Sequence, residues 1–370
     1  MVEAVLSPDK REELRSRLLS RHYRSIPGML LDGMAILVGR VTRSRWRIPD
    51  WASGIFIALL TLLAGFLISL VAGERFCEAG SCDHLKIALF SAVIGPLIMI
   101  TSNLMINMFM RTFSGKALDY LQSEADLEDF KGWLDQTFTI KIPLAFGLGA
   151  GTVLGIFLVL TWQDIHADQA LILGSTAIVV LSSIQGMLAV YYLYPFYLAF
   201  PARLSRYRFD LFVVDPSSSQ VTKELSDLFT SILYITIGLV VLVTIGFWQI
   251  GFFSSSTLLF LAIVVWVPTV FLYLGSQVHL SRIINRTKWE TLSQLQASIE
   301  KLHCNEEIPS KERLELLEKL LNYHDRIKGT PNSALNLRAA LNFLTSLLFP
   351  IIALILTNYE QIMEILGIGR

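Results

Sequence analysis

The sequence predicts an all-α, polytopic membrane protein. It should have seven transmembrane helices in three hairpins plus one, the N-terminus inside and the C-terminus outside, and a cytoplasmic helical layer. Three observations predict it. The 370 residues are 53% hydrophobic and 17% charged, with a mean hydropathy of +0.54, which is the balance of a multi-spanning chain. Seven apolar runs are long enough to cross a bilayer, which takes about 20 residues at about 1.5 Å each, and all 31 Asp and Glu fall outside them. Threaded alternately, these runs leave 28 of the 31 Lys and Arg on one side, the bias that marks the cytoplasmic face.

Ser7-Pro8-Asp9 followed by Glu12 and Glu13 is a helix-start signal, and the helix should run to about Arg24. Gly28 to Val38 is apolar but interrupted by Asp32 and too short to span, so an interfacial helix is expected. The cluster Arg40, Arg43, Arg45 and Arg47, flanked by Trp46 and Trp51, suits contact with anionic lipid headgroups, and equally serves as an orientation signal. Fifty polar, Arg-rich residues before the first run do not read as a cleavable signal.

The first two runs are Ala52 to Ala72 and Leu85 to Met110. Cys77 and Cys82 lie between them on the predicted outer side, where a disulfide is a better reading than a metal site. Asn103 and Asn107 sit four apart on one face of the second run. Two carboxamides in the inner half of a span require another helix or water as partner, so they are interhelical links or the lining of a polar path.

The third and fourth runs, Leu144 to Trp162 and Gln169 to Phe200, are separated by a six-residue polar turn and form a hairpin. Gly147, Gly151 and Gly155 repeat every four residues, a stripe that admits a neighbouring backbone. The cytoplasmic segment before it, Arg111 to Lys141, reads as two short helices, with Ser123 capping an acidic start. The segment after it alternates from Arg206 through Leu211, as a short strand or extended stretch does, and Asp215-Pro216-Ser217 then turns the chain into a helix.

Phe229 to Gln249, Thr257 to Tyr273 and Ala339 to Thr357 are the last three runs. Neither Gly nor Pro occurs from Ser276 to Glu307, so the sixth helix should continue into the cytoplasm to about Leu302. Leu292, Leu295, Ile299 and Leu302 form its apolar seam, available to pack within a hairpin or between subunits. Ile308-Pro309-Ser310 breaks it, and a second helix ends at Gly329-Thr330-Pro331. The regions are then 1–50, a basic interfacial segment; 51–275, six spans with insertions 111–141 and 200–228; 276–337, a helical hairpin; and 338–370, the last span and an external tail.

No phosphate loop, dinucleotide fingerprint, zinc-protease or nucleophile-elbow motif occurs, and nothing indicates an enzyme, a metal, a cofactor or nucleic acid. The expected locale is the plasma (inner) membrane. The first functional expectation is a homo-oligomeric channel, gated through its cytoplasmic helices by a small ligand or protein and lined by Asn103, Asn107, Gln185, Asn342 and Ser346. The alternatives are a membrane-anchored scaffold or accessory subunit binding a cytoplasmic partner, and a small-molecule carrier with an uncharged path.

Overall fold

In the helix Asp50–Ala72 the usual burial pattern is inverted. Ser53, Gly54, Thr61, Gly65 and Ser69 are buried, whereas Ile55, Leu59, Leu63, Phe66, Leu70 and Val71 are more than half exposed. Such a helix has lipid on its outside, because hydrocarbon accepts large apolar side chains and leaves only small residues to bring helices together. The computed structural model in which this is seen describes residues 8–20, 22–42, 48–77, 82–115, 117–165, 171–212, 215–251, 266–304, 311–331 and 345.

The elements in order are α1 (Pro8–Leu19), α2 (Ile26–Thr42), α3 (Asp50–Ala72), α4 (Asp83–Ser114), α5 (Glu124–Thr137), α6 (Lys141–Ile165), α7 (Leu173–Val190), α8 (Phe200–Leu204), α9 (Gln220–Gln249), α10 (Val267–Cys304) and α11 (Lys311–Lys328). The protein is all-helical and of membrane type, with α3, α4, α6, α7 and α9 each long and apolar enough to cross a bilayer. They fall on the first five apolar runs, with two differences in extent: α7 ends at Val190, ten residues short of Phe200, and α9 begins at Gln220, nine residues before Phe229. Most of the sixth run and all of the seventh but Thr345 lie outside the described residues.

Helix α7 is central, and glycines set how closely its neighbours approach. A Cβ on Gly147, Gly151 or Gly155 of α6 would come within 3.1, 2.5 and 2.7 Å of the Cα atoms of Leu188, Ile184 and Val180 in turn. The descending order of the partners makes α6 and α7 an antiparallel hairpin. A Cβ on Gly65 of α3 would meet the Gly174 carbonyl at 2.8 Å, and one on Gly95 of α4 the Ser182 carbonyl at 2.9 Å. Three helices thus touch α7 backbone to backbone.

At one end of the bundle, Cys77 and Cys82 are joined by a disulfide. Glu74 accepts the Leu173 N–H at 2.7 Å, putting a carboxylate on the positive end of α7. At the other, basic end, α4 overshoots. Its 32 residues reach about 48 Å, against about 30 Å of hydrocarbon, so its last turns enter a helical layer. There Phe109, Phe113, Phe130, Trp133, Phe196 and Phe200 stack into one aromatic core, with ring centroids 4.6 Å apart for Phe109 and Phe113 and 4.8 Å for Trp133 and Phe200.

Helix α1 stops at Leu19 rather than near Arg24, and it is fastened across α4. Arg15 donates to the Ser114 and Gly115 carbonyls at 3.0 and 3.4 Å and to Asp119 at 2.6 Å, while Arg11 donates to the Leu121 carbonyl at 2.6 Å. A guanidinium therefore satisfies the carbonyls that the end of α4 leaves without partners. Glu124, which opens α5, and Glu128, one turn further along it, pair with Lys10. Ser123 stands at the α5 N-cap, as expected, but its side chain makes no capping bond; its carbonyl instead takes the Leu127 N–H at 3.2 Å.

The alternating stretch after α8 is extended. Tyr207, Phe209 and Leu211 point inward, and Phe209 forms a single antiparallel bridge with Leu121. Asp215 caps the 3₁₀ turn Pro216–Ser218 that leads into α9. Helix α10 continues to Cys304 and α11 returns along it. Lys288, 4% exposed, donates to the Lys328 and Thr330 carbonyls at 2.9 and 2.7 Å, closing the C-terminus of α11 at the expected Gly329-Thr330-Pro331 stop. On the seam Leu292 is buried, while Leu295 and Ile299 are half-buried.

Candidate functional site

The intramembrane carboxamides diverge. Asn103 is half-buried and donates to the Asp50 carboxylate at 2.7 Å; Asp50 opens α3, where the helix dipole favours a negative charge. Asn107, one turn further, is exposed. Gln185 belongs to a separate group, donating to Thr61 at 2.9 Å while its Oε1 finds no partner. Ser53, Ser69 and Ser182 on the same helix pair also bury unpartnered hydroxyls. Near the Asn103 level the helices leave a cavity of about 10 Å³ beside Ser102, Met105, Phe109 and Tyr192, room for about one water. Asn342 and Ser346 lie outside the described residues, as do Arg43, Arg45 and Arg47; Arg40 is exposed in the last turn of α2.

A larger opening than this cavity is at the basic end. A cleft of about 430 Å³ opens between the extended stretch Tyr207 to Leu211 and one face of α10, within the range of small-ligand pockets. The α10 wall consists of Ile283, Arg286, Thr287, Glu290, Thr291 and Gln294, spaced at 3, 4, 7, 8 and 11 residues and so on one side of a helix. The facing wall is exposed at Arg208 and Asp210 because its alternate side chains are held in the aromatic core.

The walls are braced from behind. Arg286 donates to Glu290 at 2.9 Å and to the Arg206 carbonyl at 3.1 Å, joining the two sides. The extended stretch is pinned by Gln122 N–H to the Arg208 carbonyl at 3.0 Å, by Asp210 N–H to the Tyr120 carbonyl at 2.8 Å and by Arg208 N–H to Asp126 at 2.9 Å. Tyr207 donates to Asp129 at 2.7 Å, and Arg203 pairs with the same carboxylate at 2.9 Å. Burial, reinforced by that carboxylate, pushes the Tyr207 phenol up from its usual value. The cleft thus carries two guanidiniums, two carboxylates and several hydroxyls and amides on a fixed frame. It suits a ligand of both charge signs, and offers no activated nucleophile. Among the described residues no three His, Cys, Asp or Glu converge as metal ligands.

The alternation from Arg206 to Leu211 was the only sequence signal for this cleft; its α10 wall comes from about eighty residues away, beyond the reach of any local pattern. Comparison with protein-family profiles, with curated proteins and with solved structures gives no match to this chain.

Proposed function

We propose that this chain is a plasma (inner) membrane accessory or scaffold subunit, with its N-terminus and helical layer in the cytoplasm, and that it works by receiving a cytoplasmic partner in the cleft between the 207–211 stretch and α10. The cleft is the observation that carries the reading: it is about 430 Å³, its two walls are hydrogen-bonded to one another and to the segment before α5, and it sits on the aromatic core into which α4 runs. The orientation rests on the Lys and Arg bias. The test is a photo-crosslinking residue at Gln294 in the full chain in its native membrane, with Lys301, two turns further along α10, as control. A partner adduct formed at 294, absent at 301 and lost in Arg286→Glu supports the assignment. Equal adducts at both sites, or none at 294, would retire it.

A second reading, a homo-oligomeric channel gated through the same layer, draws on different observations. Asn107 is exposed on α4, and Gln185 and three serines keep unpartnered polar atoms inside the α3–α4–α7 seam, groups that water or a second subunit would satisfy. Purified protein in planar bilayers should then conduct, and Asn107→Leu should abolish the current. A silent wild-type protein, or a variant with unchanged current, excludes it.

A further inference from the structure

Helix α2 is apolar on two opposite faces. One face packs on the bundle: Leu31 and Val38 are 1% and 5% exposed, and a Cβ on Gly28 would lie 2.7 Å from the Asn103 carboxamide oxygen. The N-terminus of α2 is fixed there as well, with Ile26 N–H donated to the Tyr192 hydroxyl at 3.0 Å and Gly28 N–H to Ser25 Oγ at 3.1 Å. The opposite face carries Met29, Leu30, Ile36 and Leu37, which are 37%, 44%, 58% and 56% exposed. These follow a spacing of 1, 7 and 8 residues, with Gly33 and Arg40 completing a single stripe.

Helix α2 does not cross the membrane. Its 17 residues reach about 26 Å and are interrupted by Asp32. The chain also comes back to the level it left: Gly28 and Asp50 both meet Asn103. A helix held at the basic end by one apolar face, and apolar on the other, belongs in the plane of the interface. We infer that the outer face of α2 is a binding surface for the acyl–headgroup boundary of an anionic leaflet, with Met29, Leu30, Ile36 and Leu37 immersed and Arg40 on lipid phosphate.

Two features select lipid as the occupant. The stripe is continuous with the lipid surface of the bundle, because α2 packs against α3, whose own outward residues are large and apolar and whose first turn exposes Trp51 at 62%. The charge on the stripe is positive: Arg40 is exposed on it, while Asp32, off to one side, is paired with Arg24 at 3.4 Å. Aromatic and basic residues flanking an apolar face are the pattern of an interfacial anchor.

The test uses the full chain in nanodiscs with a single reactive cysteine, Ile36→Cys in a Cys304→Ser background, carrying a fluorophore. The discs contain phosphatidylcholine with or without phosphatidylglycerol, brominated either near the headgroup or deep in the chains. The expected result is strong quenching by shallow bromine, weaker quenching by deep bromine and little by aqueous iodide. Arg40→Gln should lower the phosphatidylglycerol retained on purification by about fivefold, the factor that one basic residue near an anionic surface supplies. Quenching by iodide in place of bromine overturns the proposal. So does protection from both that appears only when two chains share a disc, which would make the occupant a second copy. Bromine quenching with unchanged phosphatidylglycerol retention overturns the anionic assignment. None of these outcomes depends on the cleft.

Discussion

Replacing Gly151 by Ala should cost far more than replacing Gly149 by Ala, although only Ala150 separates the two on α6. A Cβ at Gly151 would stand 2.5 Å from the Ile184 Cα and 2.9 Å from its nitrogen, whereas a Cβ at Gly149 meets nothing within 4 Å. The obstacle at 151 is backbone, which cannot rotate aside, and reaching ordinary contact at 3.4 Å requires α6 and α7 to separate by about 0.9 Å. A gap of that size forfeits about a quarter to a half of each dispersion contact it opens. Gly147 and Gly155 share the interface, so the loss spreads along the hairpin. Overpacking of this kind costs about 1–3 kcal/mol, and the spread places Gly151→Ala near the upper limit. Gly149→Ala removes only a flexible residue from a helix and should be neutral or stabilising by up to about 1 kcal/mol. Unfolding of the two variants in bicelles, followed by tryptophan emission, measures the difference. Equal stabilities, or a larger loss at 149, would refute the backbone-contact account of the hairpin.

Three further outcomes follow from the basic-end layer. Lys288→Met leaves the Lys328 and Thr330 carbonyls without their buried donor; the end of α11 should fray, with hydrogen exchange accelerating from Asp325 to Thr330 by about one to two orders of magnitude, the kinetic equivalent of about 1–3 kcal/mol. Arg15→Ala exposes the end of α4 and should release α1, read as exchange over residues 8–20. High salt alone should not do this, because the exposed Lys10 and Lys131 pairs contribute little. Burial, and then the nearby Asp135 carboxylate, push the Tyr23 phenol up to about 12. A group whose folded value is raised stabilises the fold fully below its ordinary value near 10 and loses that contribution as pH rises through about 12. The layer should therefore loosen across that alkaline window, and Tyr23→Phe should abolish this component in a tyrosinate absorbance titration.

Much of the membrane region was legible because its physics is local. A run such as Ala52 to Ala72 must be a helix in lipid whatever surrounds it, and the four-residue spacing of Gly147, Gly151 and Gly155 names a contact face before any partner is known. Alternation likewise exposed the extended stretch at Tyr207 to Leu211. What the sequence does not reveal is pairing. Asn103 and Asn107 share a helical face by spacing, yet α2 and Asp50 cover one and leave the other open, and both coverers come from parts of the chain more than fifty residues away. The α10 wall of the cleft and the docking of α1 by Arg11 and Arg15 on backbone carbonyls are invisible for the same reason. A carbonyl acceptor has no side-chain identity to read.

The layer's position in the fold gives these separate features a common hinge. Helix α7, at 18 residues, reaches only about 27 Å, and the chain continues into the layer through the π-helical segment Pro195–Ala199. Proline there removes an N–H and crowds the carbonyl one turn earlier, and π turns of this kind bend rather than end a helix. Tyr192, one turn before it, holds α2; Phe196 and Phe200, on and after it, pack edge-to-face against Phe109 of α4 at 4.7 and 4.8 Å; Arg203 and Tyr207, beyond it, grip Asp129 of α5 behind the cleft. The 207–211 wall is thus connected through packed rings to α4 and α7, and through one hydroxyl to α2. Rings at such spacing have few alternative arrangements, so partner binding and lipid contact should be energetically coupled. If so, Tyr192→Phe, which cuts the link to α2 and leaves the ring stack in place, is the substitution that separates them.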